Sequence, residues 1–283
     1  MFMNESSEIL LSIDLEDVRD LVPDGSRLRE RVPAMVDRLL AYLHEARARV
    51  TFFTTGPVCV RYKSLMCEII SAGHEVASHS FAHKPLDEYF PQEFDDDLQK
   101  SIDALRTAGA NVVEGFRAPV VSMTERTAWV YRLLARRGIV YSSSVLPATN
   151  PLYGWADFGN KARSIEGVLE IPVSVGRILG RDVPFASGVY FRVLPGFLIR
   201  RELVRASRSG QPITSYLHPY DFDPEQESFT IPRLGRNPVY HFLMHYGRAT
   251  AFDKLQMLLS LGLRVSTYGQ FWRQVTANGG TKG

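Results

Sequence analysis

What most limits the folds open to this chain is a repeated alternation of short apolar, strand-like runs with amphipathic stretches of helical period. EILLSIDLED is a strand that ends in acids, and PAMVDRLLAYLHEA follows with Met35, Leu39, Leu40 and Leu43 on one helical face. The pattern recurs. RVTFFTTG is β-branched and aromatic, SLMCEIISAG is helical and stops at Gly73, and HEVASHS is a strand again. EFDDDLQKSIDALRTAG then predicts a helix ending at Gly109, NVVEGFRAP a strand, TERTAWVYRLLARRG a helix ending at Gly138, and IVYSSSV a strand. Such alternation argues for an α/β fold with a mainly parallel sheet, open or closed into a barrel. In either form the functional residues belong at the carboxyl ends of the strands. Asp14 and Glu16 end the first strand, His79 the third, Arg117 the fourth and Ser142 the fifth. QPITSYLHPYDF places His218 at the end of a later strand, and LRVSTYGQF reads as a last one. Between residues 150 and 200 the pattern is less regular: NPLYGWADFGNKARSIEG reads as loop and LEIPVS as strand. No boundary or internal repeat divides the chain, so residues 1–283 are expected to form a single domain with a mobile NGGTKG tail.

Composition narrows the partners. With 45% hydrophobic and 23% charged residues the chain can bury a substantial core. Lys plus Arg number 33 against 31 Asp plus Glu, without a basic tract, so nothing points to nucleic acid. Cys59 and Cys67 give neither a disulfide framework nor a Cys-rich zinc site, and read as buried thiols in a reducing compartment. MFMNESSEILLSIDLED lacks a basic leader region, and no apolar run approaches the roughly 20 residues of a membrane span. A cytoplasmic protein is expected, with peripheral membrane contact left open.

HEVASHSFAH puts three histidines into ten positions, and His79 and His83 stand four apart. A lone histidine is more often structural than a ligand, and His74, ahead of the strand, reads so. The pair is a stronger signal, because two neutral imidazoles a turn apart can aim at one ion that an acid from elsewhere completes. Residues two apart on a strand share a face, so Asp14 and Glu16 can enter one pocket, one on a metal and the other as a base. Asp17 reads as a solvated residue or helix N-cap. Trp129 and Tyr131 read as core. RNPVYHFLMHYGR looks like an amphipathic helix whose His241 and His245 lack a partnering acid, and it suits a lid or dimer surface better than a metal site. Arg200, Arg201, Arg205 and Arg208 make a basic helix face that is solvated by default.

SIDLED, HEVASHSFAH, GFRAP, YSSSVLP and SYLHPYDFDP, in this order at strand ends, resemble the NodB-homology polysaccharide deacetylases, carbohydrate esterases that hydrolyse N-acetyl groups on glycans. The resemblance spans about residues 9 to 272, and SGVYFRVLP is similar to a segment of a subgroup associated with bacterial exopolysaccharide and envelope-glycan loci. It implies a distorted (β/α) barrel of about seven parallel strands ringed by helices. It makes Asp14 the general base, Glu16, His79 and His83 the ligands of one divalent metal, His218 the general acid, and Arg117 the group that orients the base. Zinc is the expected ion, with cobalt, nickel or iron compatible with the same donors. An amide near Tyr141 to Ser143 would help hold the oxyanion, and Pro119, Tyr141 and Ser142 would face the substrate. Tyr153, Trp155 and Phe158 fall in a loop where an aromatic ring can stack on a sugar or pack over the barrel rim. Two departures stand out: Leu15 occupies the place of a second aspartate, and Ser142 that of a frequent aspartate. Asp221 and Asp223 are candidates to support His218 or Arg117, and Asp223 is preferred. The expected substrate is an N-acetylated sugar of an envelope glycan or its lipid- or nucleotide-linked precursor. The alternatives are an allantoinase-like hydrolase of a non-sugar C–N bond and a glycan-binding protein without catalysis.

Overall fold

The computed structural model describes residues 7–150, 152–232, 235 and 237–279. Eleven strands occur among them: β1 (Glu8–Leu15), β2 (Thr51–Thr54), β3 (Glu75–Ser78), β4 (Gly115–Phe116), β5 (Tyr141–Ser142), β6 (Arg163–Ile165), β7 (Val168–Glu170), β8 (Gly176–Ile178), β9 (Arg181–Val183), β10 (Ile213–Leu217) and β11 (Arg264–Ser266). The helices are α1 (Val18–Leu21), α2 (Val32–Glu45), α3 (Gly56–Arg61), α4 (Lys63–Ser71), α5 (Pro91–Thr107), α6 (Val130–Arg136), α7 (Gly188–Val193), α8 (Gly196–Ala206), α9 (Pro238–His245), α10 (Ala251–Leu259) and α11 (Tyr268–Gly279).

Nine strands form one curled sheet in the order β10-β1-β2-β3-β4-β5-β7-β6, with β11 added on β1. All pair in parallel except β6, which returns antiparallel on β7. The expected architecture is thus present, as a half-barrel with a few more strands than the sequence suggested. Among the described residues no strand ladder joins β7 to β10. Instead Ser174 and Thr214 exchange bonds there: the Ser174 amide donates to the Thr214 hydroxyl at 2.7 Å and the Thr214 amide to the Ser174 hydroxyl at 2.9 Å.

The two-residue period of β1 explains what the sheet encloses. Ile9, Leu11, Ile13 and Leu15 face the helices, in the core built with Val36 and Leu39 of α2, Met66 and Ile69 of α4, and Phe94 and Leu98 of α5. Leu10 faces inward, onto a floor of Phe53, Ala77, Tyr141, Ile171 and Tyr268. Ser12 and Asp14 follow Leu10 on that inner face, above the floor. The chain is therefore apolar at the bottom of the half-barrel and ionisable at its top.

Strand register brings the tops level. Leu15 pairs with Thr54, Thr54 with Ser78, Ser78 with Phe116 and Phe116 with Ser142, while Ile13 pairs with Leu217 on the other side. The residues that follow these ends, Glu16, His79, Arg117 and His218, consequently surround one opening. Trp129 and Tyr131 pack in the core as expected. The thiols differ from expectation: Cys59 is buried, and that burial pushes its pKa up to about 11, but Cys67 is exposed because it lies on the outer face of α4. No helix among the described residues is long and apolar enough to cross a membrane. Of the NGGTKG tail, Asn278 and Gly279 belong to α11, and the expectation for residues 280–283 lies outside the described residues.

Candidate active site

Three lone-pair atoms converge at the mouth of the half-barrel. Glu16 Oε1 lies 3.0 Å from His79 Nε2 and 2.9 Å from His83 Nε2, with His79 and Glu16 almost wholly buried. His79 Nδ1 is 2.8 Å from the Arg117 carbonyl, which can only accept, so this nitrogen carries a proton and Nε2 is the one left to meet Glu16 or an ion. His83 Nε2 is buried and makes no hydrogen bond. A carboxylate and two imidazole lone pairs facing one another are mutually repulsive unless a cation or extra protons lie among them. Burial alone would raise the Glu16 carboxyl, but His83, His218 and His79 outweigh it and hold the group well below the usual carboxylate range. The donor set, two nitrogens and one carboxylate oxygen within 4.8 Å of one another, suits zinc or a similar divalent ion and leaves coordination positions open.

The loop that presents His83 is held in an uncommon shape. Ser80 and His83 both take positive φ, at 59° and 51°. Asp97 on α5 accepts the amides of Phe81 and Ala82 at 2.7 and 2.9 Å, and the Ser80 hydroxyl accepts the His83 amide at 3.0 Å. Gly56 at the head of α3 makes room for the loop, since a Cβ there would stand 2.2 Å from the Phe81 ring. Backbone strain of this kind persists only where the surroundings over-determine it.

Beside the cluster lies Asp14. Its Oδ1 accepts from Arg117 Nη1 at 2.6 Å, and its Oδ2 is 3.9 Å from His79 Nε2. Arg117 is entirely buried yet spends every nitrogen: Nη1 also reaches the Ser12 hydroxyl at 2.6 Å, Nε the Ser143 carbonyl at 2.9 Å, and Nη2 the hydroxyls of Ser143 and Tyr268 at 3.0 and 2.9 Å. Its guanidinium lies 4.0 Å above the Phe53 ring, a cation–π contact strengthened by the absence of water. Asp14 is thereby fixed with Oδ2 directed toward the histidines.

Across the opening stands His218, its Nε2 3.9 Å from Glu16 Oε1. Its Nδ1 donates to Asp221 Oδ2 at 2.8 Å, and its backbone amide donates to the same oxygen at 2.9 Å. Asp221 Oδ1 in turn accepts from Arg192 Nε at 2.6 Å, and Arg192, buried at the end of α7, also donates to the carbonyls of Leu243 and Tyr246. Burial raises the Asp221 carboxyl, but Arg192 and His218 bring it down to about 2. Burial opposes a charge on His218, but Glu16, Asp221 and Asp14 outweigh it and push the imidazole up to about 9. The Tyr220 ring stacks on His218 with centroids 4.6 Å apart.

Several expected positions are placed otherwise. Asp223 does not support His218 or Arg117. It takes a two-pronged ion pair from Arg31, at 2.6 and 2.7 Å, because the short 3-10 turn Pro219–Phe222 carries it past the site while Asp221 folds back onto His218. Tyr141 is fully buried against Tyr268, with ring centroids 6.1 Å apart, and has no side-chain surface for a substrate. The amides of Tyr141 and Ser143 already donate to the carbonyls of Glu114 and Phe116, so neither can serve an oxyanion. Ser142 is fully buried and its hydroxyl lies 2.8 Å from that of Ser144. A carboxylate nonetheless stands beside Ser142: Glu170 pairs with it across β5 and β7 and accepts the amides of Ser144 and Val145 at 2.7 and 2.9 Å. Pro119 is buried and opens a turn in which Val120 and Val121 both take positive φ. The Tyr153 hydroxyl lies 2.9 Å from Asp87, and Trp155 packs on Phe158 at 5.1 Å, so both are committed to the rim. His74 accepts the Val50 amide and is structural, and Asp17 caps α1 while pairing with Arg19 and Arg61. His245 accepts the Phe229 amide at 3.1 Å, and no acid joins it and His241 in a metal-like cluster among the described residues. Arg201 and Arg205 share Glu202.

Residues 22–139 match the family model described as Polysaccharide deacetylase, and residues 143–271 match one described as Domain of unknown function (DUF3473). The chain carries a polysaccharide-deacetylase domain. Its site draws on both matched segments, since His79, His83 and Arg117 lie in the first and His218 and Asp221 in the second. Among curated proteins, the chain is 27% identical to Peptidoglycan deacetylase-like protein FGM2 of Gibberella zeae over 158 residues, which are 52% of this chain and 46% of that one. It is 29% identical to Chitin deacetylase 1 of Saccharomyces cerevisiae over 86 residues, 30% of this chain and 29% of the other. The chain thus spans less than half the length of each of these relatives. Among solved structures, a putative polysaccharide deacetylase from Mycobacterium smegmatis superposes with a TM-score of 0.67 at 20% identity, over 96% of this chain and 91% of that one. A CE4 family pseudoenzyme from Bacillus anthracis superposes at 0.53 with 13% identity, over 96% of this chain and 68% of the other. These likenesses establish the half-barrel fold of the deacetylase domain.

Proposed function

We propose that this chain is a metal-dependent hydrolase that removes N-acetyl groups from an N-acetylated sugar of an envelope glycan or its precursor. The observation that carries this reading is the convergence of Glu16 Oε1, His79 Nε2 and His83 Nε2 between a carboxylate fixed by Arg117 and an imidazole fixed by Asp221. A divalent ion held by Glu16, His79 and His83 would supply Lewis acidity, polarising the acetamide carbonyl and lowering the pKa of water. Asp14 Oδ2 is on the side where it can take the proton of the attacking water while Arg117 holds Oδ1. His218, held at Nδ1 by Asp221, gives its Nε2 proton to the amide nitrogen as the C–N bond breaks, and the products are acetate and the free amine. The two matched segments act as one catalytic unit with β1 ahead of them, because the acid comes from the second, His79 and His83 from the first, and the base and Glu16 from the end of β1, which β10 flanks.

A pseudoenzyme relative makes activity a question for each chain, and here base, acid and all three candidate ligands are present together. The test is acetate release from N-acetylglucosamine oligomers by protein loaded with zinc or cobalt, beside the Asp14→Asn variant. Release by the wild type alone supports the reading. Equal rates, or cleavage of ureides without acetate release, would replace it.

A further inference from the structure

The β8–β9 hairpin turns on Leu179 and Gly180, which both take positive φ, at 49° and 76°. A two-residue turn of this hand favours Asn-Gly, because a leucine side chain crowds its own backbone in the left-handed region. Leu179 is also 97% exposed, so packing within the chain compensates neither its conformation nor its surface. A single exposed leucine is ordinary. One held at a hairpin tip in a conformation that disfavours it, between Arg177 and Arg181, is a feature the fold alone does not explain.

The hairpin stands against α8. A Cβ on Gly176 would lie 2.8 Å from Glu202 Oε2 and 2.9 Å from the Phe185 ring, and Ile178 and Phe185 share the core with Ile199 and Leu203 of α8. Glu202 is buried and takes ion pairs from the exposed Arg201 and Arg205, at 2.9 and 3.7 Å. Arg200 and Arg208, exposed on the same helix, and Arg181 on the hairpin have no acidic partner among the described residues. Phe197, one turn before Arg200 and Arg201, is 71% exposed at the head of α8. Asp182 and Glu202 are the acids between Gly176 and Arg208, against the exposed Arg177, Arg181, Arg200, Arg201, Arg205 and Arg208. That excess is larger than the formal net charge of +2 of the whole chain, so the remainder is net acidic.

We propose that the β8–β9 hairpin and α8 form a docking surface for a bilayer that contains anionic phospholipid, with Leu179 and Phe197 entering the boundary between headgroups and acyl chains and the arginines meeting lipid phosphates. An acidic protein or a nucleic acid would engage the guanidinium groups but has no use for an apolar side chain held out in a disfavoured turn, whereas a bilayer takes both. Apolar insertion and charge attraction are each weak alone and together hold a protein reversibly at a membrane. The hairpin returns to the sheet at β10, where the Tyr216 amide donates to the Ser187 hydroxyl at 3.3 Å and the Ser215 hydroxyl donates to the Ala186 carbonyl. The surface is thereby tied to the strand that ends at His218. The inference stands apart from the deacetylase reading, and its test does not use activity.

The experiment is co-sedimentation of the zinc-loaded chain with vesicles of phosphatidylcholine alone or mixed with phosphatidylglycerol, across a salt series. The wild type should partition onto the mixed vesicles about tenfold more than onto phosphatidylcholine, and less as salt rises. Leu179→Asn is the decisive variant, since asparagine accepts the left-handed turn: it should hold or raise Tm while lowering vesicle partitioning by about fivefold. Arg200→Gln, Arg208→Gln should lower partitioning by about tenfold. Lys100→Gln, Arg106→Gln on α5, which packs on β3 through the Ser78–Ser101 bond, should leave it unchanged. No vesicle binding by the wild type, binding untouched by Leu179→Asn, or an equal loss in the α5 variant overturns the proposal. Retention on heparin that needs Arg200 and Arg208 but not Leu179, without vesicle binding, also overturns it and assigns the surface to a soluble polyanion.

Discussion

The two sides of the opening are built differently. On the base side, Asp14, His79 and Arg117 stand at or just beyond strand ends, where the sheet's register fixes them, and Arg117 is locked by bonds to Ser12, Ser143 and Tyr268. On the acid side, His218 leaves β10 into a short 3-10 turn and depends on a relay, Asp221 then Arg192, whose last member is held by carbonyls after and within α9. A sheet positions a residue through its neighbours in sequence; a relay positions it through residues far away. The base side should therefore tolerate changes outside itself, while the acid side should respond to substitutions well removed from the reacting atoms.

Removal of the terminal members should have the largest effects. Asp14→Asn and His218→Asn should each lower turnover by about 10²–10⁴-fold with the metal retained, read by acetate release beside metal analysis. Loss of metal in either variant would show that the group is a ligand. Next comes Asp221→Asn, which distinguishes the two sides by pH. His218 serves as an acid only while protonated, and the carboxylates around it, Asp221 among them, hold its imidazole above the ordinary value, so activity should be lost as pH rises through that raised pKa. Removing the Asp221 charge lowers the imidazole pKa, so the alkaline limb of the rate profile should move toward neutral pH. An unmoved limb would break the relay. Arg192→Met, a step further out, should move the limb in the same direction, because an uncompensated Asp221 is less readily ionised in a buried site. The smallest effect on turnover is expected at Asp223. Asp223→Asn should cost stability through the part-buried Arg31 pair, visible as a lower Tm, with turnover changed less than about threefold. A turnover loss as large as that of Asp221→Asn would restore Asp223 to the site.

The same contrast explains what the sequence made legible. Periodicity and strand-end chemistry located Asp14, Glu16, His79, Arg117 and His218, because each follows directly from a run of β-branched or apolar residues. β6 is three residues long and lies in a stretch that reads as loop, and β8 and β9 are three-residue strands of a separate hairpin, so too little alternation marks them for a period to register, whereas β11 was visible in LRVSTYGQF. Asp221 and Asp223 could not be separated by composition. The available signal was the three-residue step from His218 to Asp221, which in a 3-10 turn folds a carboxylate back onto the residue that starts it. Glu170 was hidden in LEIPVS because its role depends on which strand lies beside β5. Arg192 lay in the recognised YFR segment, but nothing local says that a buried arginine reaches a carboxylate 29 positions away.

The most direct test of the account is the metal content of the purified protein by inductively coupled plasma mass spectrometry, with the His79→Ala, His83→Ala variant measured beside it. The account predicts about one equivalent of a divalent transition metal in the wild type, or after incubation with zinc, and none in a variant that remains folded by circular dichroism. A folded wild type that takes up no metal, or a variant that retains it, would contradict the assignment of Glu16, His79 and His83 as one ligand set.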